Sequence, residues 1–392
     1  MPAPLLLDLT HTCHTRARTG IQRVARSLRT ALGDDALAIT HDPHRHAWRT
    51  LERWELANLA ATGATEKRGA QWPLTVKLRG RAARWRGAAA SALPENSGLL
   101  VPEVFSPGVA AALPSLFGAT RGPRVAVFHD AIALQFPELS PAKTVARFPA
   151  YLHELRAFDG IAANSETSRD TLRDFWRWAG VSDAPPVEAI SLGVDLPARI
   201  SDPPSAVSDQ PPTVLCVGTL EGRKNHLALL DACENLWARG ARLELRLVGL
   251  ANRETGAAAL ARLRALQAAG RPLRYDGALG EAAAAAAYTA CAFTVYPSIV
   301  EGFGLPVIES LAHGKPCICS ARGALGESAR GGGCVTLDAV DAPGLAAAIA
   351  SLLESREKLG ALATAARARK FRTWADYAAE LSGWLRGLKR RN

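Results

Sequence analysis

Two glutamates, Glu301 and Glu309, stand eight positions apart around the glycine turn Gly302-Phe303-Gly304 in the stretch SIVEGFGLPVIESLAHGKP. Pro306 suits the first turn of a helix, and Gly314 with Pro316 suits its end, so Glu309 falls inside that helix and Glu301 just outside it. Unpartnered backbone N–H groups at a helix N-terminus attract an anion, and glycine lets a ligand approach the main chain closely. Carboxylates repel phosphate but accept hydrogen bonds from hydroxyls. An anion site flanked by two of them suits a ligand with both phosphate and several hydroxyls, such as a sugar nucleotide. A solvated loop with a helix-dipole carboxylate at Glu309 is the alternative that spacing alone leaves open.

Strand-like and helix-like runs alternate on both sides of this stretch, the pattern of doubly wound α/β domains with parallel sheets. In the first half the strands are LLLDL, GLLVP, RVAVFHD and GIAANS, with helices after Gly20, Pro107, Pro141 and Glu166. The second half runs through TVLCVG, LELRLVG, PLRYDG, AFTVYPS and PCICS. Between them, residues 196–212 hold five prolines and no periodicity, and read as a linker. The expected division is an N-terminal Rossmann-like domain over 1–195 with a basic insertion at about 41–97, a C-terminal Rossmann-like domain over 213–370, and a helix over 371–392 that crosses back to the first domain. Two open sheets joined this way bind ligand in the cleft between the C-terminal edges of their strands, where each motif falls.

Composition narrows the classes further. A chain of 392 residues with 48% hydrophobic and 21% charged residues has material for two cores. The start MPAPLLLDLT lacks the basic flank of a signal peptide, so a cytoplasmic protein is expected. The uncharged run 282–300 is alanine-rich and meets Pro297, and reads as a helix followed by a strand, not as a membrane span. The seven cysteines lack the paired spacing of a zinc site, Cys317 and Cys319 alternate as same-face strand residues would, and His41, His44 and His46 have no partner motif. No metal is therefore expected. A net charge of +10 favours phosphate-bearing substrates or an anionic membrane surface, and no nucleic-acid module accompanies it. Lys67, Arg68, Lys77, Arg79, Arg81, Arg84 and Arg86, interleaved with Trp72 and Trp85, suit anionic lipid headgroups; a solvated basic face is the alternative.

EGFGLPVIE, VGTLEGRKN, FHDAIALQFPE, ANSETSRDTL and TGIQRVARSL together resemble the motifs of retaining glycosyltransferases of family 4, in the family's order and over nearly the whole chain. The resemblance implies the GT-B architecture, with two Rossmann-like domains facing across a cleft, and a mannosyltransferase-like activity in bacterial polysaccharide or O-antigen assembly. It also implies a site. Glu309 would accept the ribose hydroxyls, and Glu301 the hydroxyls of the donor sugar. The N–H groups of Phe303, Gly304 and Leu305, beside Gly302, would face the sugar and distal phosphate. Lys224 would neutralise the departing diphosphate next to Gly218 and Gly222, and His129 would lie beside the transferred sugar. Gly20 would let the first loop approach the diphosphate, with Arg23 one turn on; Gly20 as a simple N-cap is the alternative. The nucleobase would sit near Val248-Gly249 and Gly277-Ala278-Leu279. The chain departs from the family pattern at Thr219, where many members carry arginine, and Arg223 is the residue that could supply that charge.

No Asp-x-Asp pair is present to hold a metal on the diphosphate, so transfer without metal or other cofactor is expected. The resemblance implies retention through front-face attack, from GDP-mannose or a UDP-hexose to a glycan hydroxyl on a lipid-linked acceptor at the inner face of the plasma membrane. A sugar-nucleotide epimerase or hydrolase, and a non-catalytic partner subunit, are the rival readings.

Overall fold

The computed structural model describes residues 3–63, 69–86, 92–197 and 210–391. Lys67, Arg68 and residues 198–209 of the expected linker lie outside the described residues. The chain divides into two compact units, one of Met1–Asp130, Arg147–Gly193 and Trp374–Asn392, the other of Ala131–Ala146 and Val194–Thr373.

The first unit is built on a seven-stranded sheet of β1 (Leu5–Asp8), β2 (Ala36–Asp42), β3 (Ala47–Thr50), β4 (Leu99–Val101), β5 (Arg124–Phe128), β6 (Gly160–Ala163) and β7 (Val187–Ala189), in the order β3-β2-β1-β4-β5-β6-β7. All neighbours pair in parallel except β2 and β3. A parallel sheet is covered on both faces, so its strands read as unbroken apolar runs. β1 shows this: Leu5, Leu6 and Leu7 are each fully buried, and burying a leucine contributes about 1.5–3 kcal/mol. The antiparallel pair β2–β3, which ends the sheet, is only partly buried and was not legible in the sequence. The stretch expected as a basic insertion holds the end of β2, all of β3 and two helices, Arg53–Ala60 and Leu74–Trp85. The helix Trp374–Gly387 belongs to this unit, and its last turn with the residue after it lies so close to β6 that a Cβ on Gly160 would come within 2.6 Å of Leu388 and 2.7 Å of Trp384.

The second unit holds a six-stranded, wholly parallel sheet of β8 (Thr213–Val217), β9 (Glu244–Val248), β10 (Leu273–Tyr275), β11 (Phe293–Tyr296), β12 (Cys317–Ser320) and β13 (Cys334–Leu337), in the order β10-β9-β8-β11-β12-β13. The chain reverses its winding direction between β8 and β11, and in the first sheet between β1 and β4. Ligands of open α/β sheets bind outside the C-terminal ends of the strands at such switch points. The seven cysteines are free thiols, and Cys317 and Cys319 are both buried on β12. No helix among the described residues is long and apolar enough to cross a membrane.

Candidate active site

Four charged side chains and one phenol converge at the β8/β11 switch point. After β8 the chain passes Gly218 and Thr219, then turns once through Gly222–Lys224, and the left-handed Asn225 (φ 53°) starts the helix His226–Ala238. The Ile299 N–H donates to the Arg223 carbonyl (2.9 Å), which ties this turn to the loop after β11. Lys224 Nζ donates to Glu301 Oε1 at 2.5 Å and also to the hydroxyl of Tyr296, the last residue of β11. The Tyr296 hydroxyl donates to the same Glu301 oxygen at 2.9 Å. Arg223 Nη1 reaches Glu301 Oε2 at 2.5 Å, while its Nη2 lies 2.8 Å from Glu221.

Burial sets the electrostatics here. It would raise the Glu301 pKa, but Arg223 and then Lys224 outweigh it and hold the carboxyl at about 2. Lys224 is only 8% exposed. Burial lowers its pKa, Arg223 adds to that effect, and Glu301 opposes it. Burial, with Glu301 beside it, pushes the Tyr296 phenol well up, so it stays a proton donor. Arg223 and Lys224 thus both pair with Glu301. Tyr296 was missed by the sequence reading; the sign available was a tyrosine ending an apolar strand five residues before Glu301.

The glycine turn and the helix after it have the predicted form. The helix spans Leu305–Ala312 with Pro306 in its first turn, and Gly304 at φ 103° is its N-cap. A side chain there would be strained, and its Cβ would meet Leu325 at 3.0 Å. Ser328 Oγ fixes the turn by donating to the Phe303 carbonyl (2.5 Å). Leu305 opens the helix, where backbone N–H groups find no partner within it. Glu309 is buried, 6% exposed, and its Oε2 accepts from the Tyr288 hydroxyl at 2.9 Å. Tyr288, on the helix Glu281–Ala290, in turn packs with Val248, Leu215 and Leu279, so this helix and the end of β9 share one apolar cluster.

The residues expected around a nucleobase also meet. Gly249 N–H donates to the Gly277 carbonyl at 2.7 Å, and Gly218 N–H to the Val248 carbonyl at 2.8 Å. A Cβ on Gly249 would lie 2.0 Å from the Gly218 carbonyl oxygen and 3.0 Å from the Thr219 nitrogen, so only glycine fits. Gly277 (φ 62°) and Ala278 lead into the helix Glu281–Ala290.

In the first unit, the switch point between β1 and β4 carries a pair of acids that the sequence reading passed over. Asp8 ends β1, and Oδ1 accepts from the Thr10 N–H (3.0 Å) and hydroxyl (2.5 Å). Glu103 follows β4, and its carboxylate accepts from the N–H groups of His11 and Thr12, each at 2.8 Å, and from the Thr12 hydroxyl. Both are buried. Burial first, and then Glu103, pushes the Asp8 carboxyl up to about 7; burial also pushes Glu103 up to about 7 against the hydrogen bonds from Thr12 and His11. The loop these acids hold leads to the helix Gly20–Leu32. Thr19, not Gly20, is its N-cap, in a capping box with Gln22, which corrects the alternative reading of Gly20. Gly20 is exposed, with open space around it, and Arg23 is half-buried one turn on.

His129 follows β5 as expected, but both its ring nitrogens are engaged. Nε2 donates to the Pro102 carbonyl at 2.8 Å, and Nδ1 accepts from Asn164 Nδ2 at 2.8 Å. Burial lowers its pKa and keeps it neutral. Through these two bonds the ring bridges the ends of β4 and β6. Cys13, His14 and Glu55 form the one group among the described residues with metal-ligand spacing, their ligand atoms within 4.8 Å of one another. Glu55 is already taken by Arg49 at 2.7 and 2.8 Å, a buried ion pair, and by His14 at 2.9 Å.

Residues 199–369 match the family model for glycosyl transferases group 1. The serotype-specific mannosyltransferase WbdA of Escherichia coli is 26% identical over 335 residues, covering 80% of this chain and 38% of the relative. The chain thus spans well under half the length of that relative. Among solved structures, HepE of Anabaena in complex with UDP-glucose has a TM-score of 0.69 at 16% identity, covering 98% of this chain and 100% of that one. Sucrose-phosphate synthase from Thermosynechococcus elongatus has a TM-score of 0.66 at 19% identity, covering 98% of both chains. These structures share the GT-B fold with this chain.

Proposed function

Because residues 199–369 match the family model for group 1 glycosyl transferases and the chain has the GT-B fold, we propose that its second unit binds a nucleotide-sugar donor for retaining transfer to a glycan hydroxyl. The observation that carries this reading is the meeting of Arg223, Lys224, Tyr296 and Glu301 at the β8/β11 switch point. The two cations are balanced by Glu221 and Glu301. A diphosphate entering here draws on Lys224 and Arg223, and its affinity reflects competition with the carboxylates. Glu301 then turns to the hydroxyls of the donor sugar, while Glu309, with one oxygen on Tyr288, presents the other to the ribose.

In the transfer, the acceptor oxygen forms a bond to the anomeric carbon on the face from which the phosphate leaves. The bond between that carbon and the phosphate oxygen breaks, and the acceptor's hydroxyl proton passes to the departing phosphate. The products are a glycoside with retained configuration and a nucleoside diphosphate. Charge on the leaving oxygens grows along this path, so cations preorganised in a water-poor setting lower its barrier most. The reading includes no metal, since Lys224 and Arg223 take the place a divalent cation would fill. The mannosyltransferase relative favours GDP-mannose, and the UDP-glucose complex of HepE favours a UDP-hexose. The acceptor is a glycan on a lipid carrier, at a membrane surface met from one side.

The experiment is a screen of GDP-, UDP- and dTDP-sugars, scored by nucleotide release with and without acceptor glycans and in EDTA. One donor should release nucleotide in EDTA, faster with acceptor present. Release that requires added divalent metal, or that yields an epimerised donor and no glycoside, overturns the reading.

A further inference from the structure

The helix Leu74–Trp85 carries its large apolar side chains outward. Leu74 is 74% exposed, Leu78 64% and Trp85 90%, and their spacing of four and seven residues puts them on one helical stripe. The opposite side is the one that packs. Val76 and Gly80 are buried, and a Cβ on Gly80 would lie 2.8 Å from the Cβ of His44, so the helix rests directly on the β2–β3 hairpin. Arg79 pairs with Glu52, and Arg84 donates to His46 Nε2 at 2.9 Å; both fasten the helix down. Trp72, just before the helix, is half-buried, its ring centroid 4.1 Å from that of His14 and 5.3 Å from that of Trp54.

The remaining basic residues border the apolar stripe. Arg81 lies on it between Leu78 and Trp85, Lys77 flanks it on one side and Arg86 follows its end, with Arg81 and Arg86 exposed. A protein-facing helix buries its leucines and shows its arginines to water; this helix shows both together. Apolar side chains that enter an interface, bordered by cations that reach phosphate oxygens, are the signature of a helix lying in the plane of an anionic bilayer. A solvated basic face accounts for the arginines, but leaves two leucines and a tryptophan in water without return.

We infer that Leu74–Trp85 is the element through which this chain sits on an anionic lipid bilayer, with Leu74, Leu78 and Trp85 entering the headgroup–acyl boundary and Lys77, Arg81 and Arg86 contacting lipid phosphates. This deepens the membrane part of the function proposed above and rests on it there; it does not depend on the identity of the donor.

The test is flotation of the full chain with phosphatidylcholine vesicles and with vesicles containing phosphatidylglycerol, at low and high salt. Three forms are compared: wild type, Leu74→Ser/Leu78→Ser/Trp85→Ser, and Arg81→Gln/Arg86→Gln. Arg79 and Arg84 stay untouched because they hold the helix to the hairpin. The wild type should float with anionic vesicles, and the triple variant should bind at least tenfold less at either salt. The arginine variant should bind several-fold less at low salt and match the wild type at high salt, where screening removes the charge contribution. The fluorescence difference between wild type and Trp85→Phe should shift to the blue on vesicle addition. Thermal melts and donor hydrolysis in solution, recorded on the same samples, should not change, which separates loss of docking from loss of fold or chemistry. A wild type that stays with the unbound fraction, a triple variant that floats equally well, or preferential capture by duplex RNA each overturns the inference.

Discussion

Lys224 Nζ lies 2.5 Å from Glu301 Oε1, and the hydroxyl of Tyr296 bonds to both. The pair sets Lys224 against a carboxylate, so a diphosphate that enters the site competes with Glu301 for it. Breaking such a buried pair from one side leaves an uncompensated charge. Removing the carboxylate and removing the ammonium should therefore have different consequences.

Replacing Glu301 with glutamine frees the cationic charge of Lys224 and Arg223. Nucleoside diphosphate should bind more tightly to Glu301→Gln than to the wild type, while turnover should fall by tenfold or more because the donor sugar loses a charged acceptor. Calorimetry with GDP and UDP, set beside initial rates, reads both effects. Weaker diphosphate binding would show that Glu301 does not restrain the cations.

Lys224→Ala should act mainly on turnover, since the charge on the departing phosphate exceeds that of the bound donor. Tyr296→Phe removes only a hydroxyl that joins Lys224 to Glu301. It should lower kcat by the equivalent of about 1.5–3 kcal/mol, the range for a hydrogen bond to a charged group, with KM moved much less. A change confined to KM in either variant would reduce these residues to binding contacts.

Glu309→Ala should weaken donor binding by about 1.5–3 kcal/mol, roughly tenfold to a hundredfold. It also leaves the buried Tyr288 hydroxyl without its partner at 2.9 Å. Tyr288→Phe separates the two effects: it should leave donor affinity within a few-fold of the wild type. If both variants lose affinity alike, Glu309 acts through Tyr288 and not on the ribose.

Stability should depend on pH through the acids at the first switch point. The Asp8 pKa rises from its ordinary 3.8 to about 7 on folding, and that of Glu103 from 4.5 to about 7. The folded state thus holds protons that the unfolded chain gives up. Their contribution is complete below the ordinary values and is lost as pH climbs through about 7. The Tm should fall between pH 5 and pH 8 by more than the rest of the chain accounts for. Asp8→Asn keeps an Oδ1 acceptor for Thr10 and removes the repulsion with Glu103, so it should flatten that slope. A wild type whose Tm is level over this range argues that the two carboxyls ionise freely.

Much of this molecule is local in origin. The apolar runs LLLDL, RVAVFHD, TVLCVG and AFTVYPS each set a buried parallel strand, because a strand covered on both faces needs no partner's help to declare itself. Gly304, Pro306 and Glu309 likewise fixed the turn, the start of the helix and the carboxylate within it, since positive φ and first-turn geometry are properties of single residues. The edge strands β7 and β13 were illegible for the converse reason: their pairing is supplied by neighbours remote in sequence. The same limit governs the site. Spacing named Glu301, and the family resemblance named Lys224 and Arg223, but only packing could reveal that Tyr296 joins them, or that Asp8 and Glu103, 95 positions apart, are both buried and repel each other. It also took the fold to show that both nitrogens of His129 are spent on Pro102 and Asn164, and that Trp72 turns inward while Trp85 turns out. Hydrogen-bond partners and solvent exposure are set by how elements pack, and a sequence records each residue without its surroundings.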